Sequence, residues 1–253
     1  MEVIILAGGK GSRLDKITET IPKPLVKISK VPILVHIIKI FAKYNHTDFI
    51  VAIGYKGEKI LKYFYKKKIN SNIKKKLNSG FLIKRKIGNK NCKITLLDTG
   101  QNTMTGGRLK KAAKLIKNDR FFLTYGDGVA DINLNNLLNQ HKKSKKLVTL
   151  TAVNPPSRFG EITINKKKIT SFKEKTITSR NSWINGGFFV MQKKFIKYLA
   201  GNKTILEKKP LENIASKGQL YAYKHKSFWH CMDTKKDKEN LEIIFRKKNI
   251  LKV

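Results

Sequence analysis

Acid is scarce in this sequence. Over 253 residues, 17 Asp and Glu stand against 55 Lys and Arg, a formal net charge of +38. Such a balance would suit a nucleic-acid binder. The excess, however, is spread through Lys-rich text mixed with Ile and Asn, as in "YFYKKKINSNIKKKLN", with no Arg-rich block and no RNA-binding aromatic signature. Lysines distributed this way read as a solvated surface set by compositional bias. They can draw in polyanionic nucleotides without identifying one, and no specific nucleic-acid partner is expected.

Cysteine is rarer still. Cys92 and Cys231 lie far apart and fit no metal or redox spacing, which points to a reducing, cytoplasmic compartment. No apolar run approaches the length needed to cross a bilayer, so no membrane partner is expected. The first apolar stretch is only a strand long before glycines end it, and it does not read as a signal peptide. The five histidines are scattered without an H-x-x-x-H or Cys partner, so none reads as a zinc ligand, and His36 reads as a packing residue on an apolar helix. There is no nucleophile elbow with Ser-His-Asp ordering, no internal repeat and no Gly/Ser-rich linker.

What the chain does have is alternation. Val3 to Leu6 reads as a buried strand, "VPILVHIIKIFAKYN" as a helix opened by Pro32, "DFIVAIGY" as a strand and "KGEKILKYFYKKK" as a helix. Strands at "KITLLDTG" and "RFFLTYGDG" flank a helix in "GGRLKKAAKLIKN"; a helix from Leu134 to Lys142 and the strand "KLVTLTAV" follow. This rhythm predicts an α/β fold, a Rossmann-like, doubly wound and mostly parallel sheet with ligands at the C-terminal ends of its strands. From about residue 154 short strands ("GEITIN", "KITSFKEK", "WINGGFFVMQ") mix with helices, the last from Lys235 to about Lys247. The expectation is one domain over 1–253, with a smaller lobe appended to a part spanning about 1–153. The Lys-rich segment 65–91 is weakest in pattern and reads as an exposed excursion carrying one strand at "GFLIKRK".

The first strand runs into "LAGGKGSRL". Three glycines after a strand can bare backbone N–H groups to a phosphate chain, but they serve an ordinary tight turn equally well. The motif matches neither G-x-x-x-x-G-K-[ST] nor G-x-G-x-x-G. "IPKPLVKI" sets Lys23 between two prolines, which restrict their own backbone and bias the residue before them to extended conformations. That makes Lys23 a candidate phosphate clamp, with a solvated turn lysine as the alternative. "GDG" reads either as a turn or as a carboxylate at a strand end.

With "LLDTG", "MTGGRLK", "FLTYGDGVADI", "PPSRFGEI", "SFKEK", "WINGGFFV", "KPLENIA" and "FWHCMDTKKDKENLE" in order along the chain, the sequence resembles the sugar-1-phosphate nucleotidyltransferase family. Within it, the likeness is greatest to the branch that uses CTP and glucose 1-phosphate. The pair "MTGGRLK" and "TYGDGVAD" is more specific to that branch than the glycine loop. The resemblance implies transfer of a cytidylyl group from CTP to glucose 1-phosphate, Mg²⁺ as cofactor and a homo-oligomer with a sugar-binding second lobe. The alternatives are transfer of another nucleotide or to another sugar phosphate, or an inactive nucleotide- or nucleic-acid-binding relative. It also implies that Leu6, Ala7, Gly8, Gly9, Lys10, Gly11, Ser12 and Arg13 wrap the nucleotide, together with Gly126. Arg13 and Lys23 would neutralise the triphosphate and the attacking sugar phosphate.

Thr103 and Arg108 fall at base-contacting positions of the family. Arginine only donates hydrogen bonds. Cytosine offers O2 and N3 as acceptors whereas uracil carries a hydrogen on N3, so Arg108 suits cytosine, with a solvent-facing helix residue as the alternative. Asp127 and Asp233 would share one Mg²⁺, an ion that needs few protein ligands. Gly160, Glu174, Lys175 and Asn185 would meet glucose 1-phosphate, Lys175 at its phosphate and Glu174 at its hydroxyls. The chain departs from the family pattern in four places. Thr176 replaces a proline, Ile21 stands where close relatives often have lysine, His230-Cys231 replaces Gln-Pro, and Ser12 replaces threonine while keeping the hydroxyl. These changes bear on sugar affinity and rate more than on reaction class.

Overall fold

Apolar β1 (Val3–Leu6) is enclosed on both faces, Val3 and Ile5 in one core layer and Ile4 and Leu6 in the other. That is the signature of a strand central to a sheet covered on two sides. The computed structural model describes residues 1–11, 14, 16–155, 161–165, 168–173 and 182–247. After β1 come α1 (Lys16–Thr20), the hairpin β2 (Lys27–Ile28) and β3 (Val31–Pro32), α2 (Ile33–Lys43), β4 (Asp48–Ile53), α3 (Gly57–Phe64), α4 (Ser71–Leu77), β5 (Phe81–Ile87) and β6 (Lys90–Asp98). Next are α5 (Thr105–Ala112), β7 (Arg120–Tyr125), β8 (Gly128–Ala130), α6 (Leu134–Ser144) and β9 (Val148–Val153). The remainder comprises β10 (Glu161–Asn165), β11 (Lys168–Lys173), β12 (Ile184–Gln192), α7 (Lys209–Ser216), β13 (Leu220–His225), β14 (Trp229–Cys231) and α8 (Lys235–Lys247).

Eight strands form one sheet in the order β13-β9-β12-β7-β1-β4-β6-β5. Six run parallel, while β12 and β5 run antiparallel. The chain steps from β1 to β4 to β6 on one side, then returns to place β7 on the other side of β1. Strand order therefore reverses between β1 and β7, and a crevice opens outside their C-terminal ends. Two short ribbons, β10 with β11 and β8 with β14, lie outside this sheet.

Local sequence explains the helices. Pro32 precedes α2 with extended backbone, and the helix buries Ile33 through Ile38 against the sheet. The side chains of Asn70 and Asn133 accept from the backbone of Ile73 and Asn136 at 3.0 Å each, capping α4 and α6. His36 packs as expected, buried, bonded to the Ile28 carbonyl and edge-on to Phe245.

The Lys-rich segment 65–91 is better ordered than its pattern suggests. It holds α4 as well as the expected strand, β5, which pairs with β6. Ile73, Leu77, Ile83 and Ile87 enter the core while the lysines between them stay exposed. Widely spaced apolar residues suffice here because β6 is already a buried partner. Among the described residues, no helix is long and apolar enough to cross a membrane.

Candidate functional site

A cavity of about 520 Å³ occupies the crevice beside β1. Leu6 to Gly11, Lys23, Thr103, Arg108, Gly126 and Asp127 all line it. The three glycines of the loop are there for three reasons. A Cβ on Gly8 would overlap the Arg108 guanidinium, so this glycine serves protein packing. Gly9 has open space around its missing Cβ, leaving its backbone bare to the cavity. Gly11 takes a φ of +66°, which side-chain-bearing residues rarely adopt. Gly126 closes the other wall, its N–H donating to the Leu6 carbonyl at 3.0 Å; a Cβ there would press on that oxygen.

Lys23 does not sit in extended backbone. It opens a single 3₁₀ turn, Lys23–Leu25, whose turn bonds run from Leu25 N–H to the Pro22 carbonyl and from Val26 N–H to the Lys23 carbonyl. Pro24 fits this turn because neither bond needs a proton from it, and its buried ring anchors the turn. From there the Lys23 ammonium donates to Asp127 Oδ2 at 2.6 Å and Asp233 Oδ1 at 2.8 Å. The two aspartates, 106 residues apart in the chain, meet because β14 pairs with β8 and the Met232 N–H donates to the Asp127 carbonyl. The Lys23 side chain is only 11% exposed. Burial acts to lower its pKa, but the two carboxylates outweigh it and hold the group charged. They also help push the neighbouring Cys231 thiol up to about 12, where burial is the largest cause. The thiol is therefore protonated at neutral pH.

Asp127 and Asp233 offer a hard, oxygen-only donor pair of the kind Mg²⁺ takes, and the Lys23 ammonium that stands between them would have to yield its place to the ion. Among the described residues no cluster of three His, Cys, Asp or Glu forms a fuller metal site.

Arg108 lies on α5 with 4% exposure, and burial lowers its pKa while Asp98 opposes the shift. Its guanidinium donates to five protein oxygens: Gly8 O at 2.8 Å, Ile53 O at 3.2 Å, Thr99 Oγ1 at 2.5 Å, Gly100 O at 2.9 Å and Gln101 O at 3.2 Å. The residue staples together the loops after β1, β4 and β6 while forming part of the cavity wall. Thr103, also buried, donates to the Thr99 carbonyl at 2.6 Å.

A second cavity of about 310 Å³ adjoins the first; Tyr125 and Asp127 border both. Asn185, Asp233 and Trp229 line it. Asn185 is set by an irregularity in β12, where the register against β9 shifts between Asn185 and Phe189.

The nucleotidyl transferase family model matches residues 2–238. The chain belongs to the nucleotidyl transferase family. The transferase is 43% identical over 242 residues to the "Probable glucose-1-phosphate cytidylyltransferase" of Bacillus subtilis (strain 168), covering 94% of this chain and 93% of that one. It is 41% identical over 249 residues to the glucose-1-phosphate cytidylyltransferase of Salmonella typhimurium (strain LT2), covering 98% and 96%. Among solved structures, HddC from Yersinia pseudotuberculosis superposes with a TM-score of 0.72 at 23% identity, covering 96% of this chain and 99% of that chain. A UDP-glucose pyrophosphorylase complexed with UDP-glucose gives 0.70 at 16%, covering 97% and 98%. These structural likenesses establish the nucleotide-diphospho-sugar transferase fold.

Ser12, Arg13, Gly160, Glu174 and Lys175 lie outside the described residues of the transferase. The sequence reading passed over Tyr125 and Glu207. Tyr125 could have been noticed as the last residue of an apolar strand immediately before "GDG". Glu207, inside "LEKKPLE", looks like any solvated acid, and only tertiary structure brings it to the Tyr125 hydroxyl.

Proposed function

We infer that this transferase moves a cytidylyl group from CTP to α-D-glucose 1-phosphate, yielding CDP-glucose and pyrophosphate. The observation that carries the reading is the meeting of Lys23, Asp127 and Asp233 beside the seam of two adjoining cavities. A nucleotide in the larger cavity and a sugar phosphate in the smaller would present their phosphates to each other there. A phosphate oxygen of the sugar phosphate attacks the α-phosphorus in line and pyrophosphate leaves. That phosphate is already ionised at neutral pH, so no general base is required. The protein's task is positioning and charge neutralisation.

Lys23 supplies positive charge at the seam, and Arg13 adds a second charge from the glycine loop. Asp127 and Asp233 would hold Mg²⁺, which supplies Lewis-acid stabilisation of phosphate oxygens when bound. Gly9 offers unobstructed backbone to the phosphate chain. Arg108 reads cytosine by exchanging a protein acceptor for O2 or N3 of the base, and Thr103 shapes the same wall. Asn185 serves the sugar, with Gly160, Glu174 and Lys175 completing that side.

Pyrophosphate release from CTP, UTP and dTTP, each with glucose 1-phosphate and Mg²⁺, tests the reading. CTP should be preferred, and absence of release with CTP refutes it. A homo-oligomer remains part of this reading through the family resemblance; light scattering of the purified chain checks the assembly.

A further inference from the structure

We propose that Glu207 is a positioning residue for the sugar cavity, acting through Tyr125 to fix the direction in which Asn185 presents its amide. The proposal rests on the reading of that cavity as the glucose 1-phosphate side. The segment 201–207 docks against the start of α5: Met104 N–H donates to the Asn202 carbonyl, and Gly106 and Gly107 N–H donate to the Thr204 carbonyl. Gly106 and Gly107 must be glycine for this approach, since a Cβ on either would lie within 3 Å of those carbonyl oxygens. Docking delivers the Glu207 carboxylate to two hydroxyls. Thr105 Oγ1 donates to its Oε2 at 2.7 Å, and the Tyr125 hydroxyl donates to its Oε1 at 2.5 Å.

A carboxylate only accepts, so Glu207 claims the proton of each hydroxyl. The Thr105 oxygen is then left to accept from Leu206 N–H at 2.9 Å. The Tyr125 oxygen is left to accept from Asn185 Nδ2 at 3.4 Å. At its other end Asn185 Oδ1 accepts from Gly187 N–H at 2.9 Å, which fixes the amide's orientation. One Nδ2 hydrogen points to Tyr125 and the second is available to a sugar oxygen in the cavity. Burial, reinforced by Glu207, raises the Tyr125 pKa and keeps the phenol protonated for this role. The ring has little freedom to turn away, because it packs edge-on to Phe189 and a Cβ on Gly187 would already lie 2.8 Å from its Cδ2. The sugar-side amide is thereby referenced to α5, a helix of the nucleotide side.

Glu207→Gln substitutes a donor for one acceptor, and Tyr125→Phe deletes the relay oxygen. Steady-state kinetics of both variants and of the double variant provide the test. Each single change should raise the KM for glucose 1-phosphate about tenfold, the scale of one hydrogen bond to a charged group. The KM for CTP should move less than about twofold and kcat should fall less than the sugar KM rises, because the group the chain aims at substrate, the Asn185 amide, lines only the smaller cavity. The double variant should be no worse than the poorer single one, since both break the same chain. Glu207→Asp should recover part of the loss.

An unmoved sugar KM, equal rises in both KM values, or multiplying losses in the double variant would overturn the proposal. A thermal melt accompanies each variant; Tyr125→Phe, which removes one oxygen, decides the matter if Glu207→Gln does not fold. Failure of the wild-type chain to release pyrophosphate would instead refute the functional reading beneath it.

Discussion

The two cavities are built in different ways. The larger one is made of loops at the C-terminal ends of parallel strands, and one buried cation holds those loops. Arg108 reaches the segments after β1, β4 and β6 at once, so the shape of this wall depends on a single guanidinium. The smaller cavity depends on an antiparallel strand that breaks register. Gly186 and Gly187 let β12 bulge, and the Trp229 indole N–H donates to the Gly186 carbonyl at 2.7 Å to hold it. The larger cavity is thus fixed by charge and the smaller by backbone geometry. They share a seam where Lys23 and two carboxylates meet.

The largest expected effect lies at the seam. Lys23→Met should cut kcat by about 10²–10³-fold, the cost of removing a preorganised charge from a developing transition state. It should do so with either substrate saturating, and a loss confined to one KM would assign Lys23 to one cavity only. Next comes the wall of the larger cavity. Arg108→Met removes five hydrogen bonds from a buried cation and should lower unfolding free energy in urea by about 3 kcal/mol, even though the Gly8 and Ile53 carbonyls keep the N–H donors of Tyr55 and Thr99. The KM for CTP should rise more than that for glucose 1-phosphate; equal rises would break the division between the cavities.

On the sugar side, Gly187→Ala forces a side chain into a φ of +79° and against the Tyr125 ring. Its cost should be about 1–3 kcal/mol, with the KM for glucose 1-phosphate raised and that for CTP spared. The smallest effect belongs to the Lys-rich text: Lys75→Gln on the exposed face of α4 should leave stability within about 0.5 kcal/mol and both KM values unchanged.

Much of the fold could be read locally. β1, β4 and β7 are continuous apolar runs, as strands buried on both faces must be. Pro32 marked where α2 begins. The ribbon of β8 and β14 was not visible, since three-residue strands carry no periodicity and their pairing joins segments a hundred residues apart. Segment 65–91 misled because lysines outnumber its core residues, although four apolar side chains reach the core. Within the site, the glycine loop, Lys23 and Asp127 announced themselves as motifs at strand ends. Gly8 did so for a reason the pattern concealed, since its missing Cβ makes room for Arg108.

By itself the sequence determined the alternation of strands and helices, the family to which the chain belongs and the residue types offered to phosphate. These are local or ordered properties, legible because buried strands must be apolar and tight loops need glycine. Tertiary structure alone decided that Lys23 lies between Asp127 and Asp233, that Arg108 spends its donors on three loops, and that Glu207 accepts from Tyr125. Each joins residues far apart in the chain, and such contacts are set by the order of strands in the sheet, which spacing along the chain does not encode.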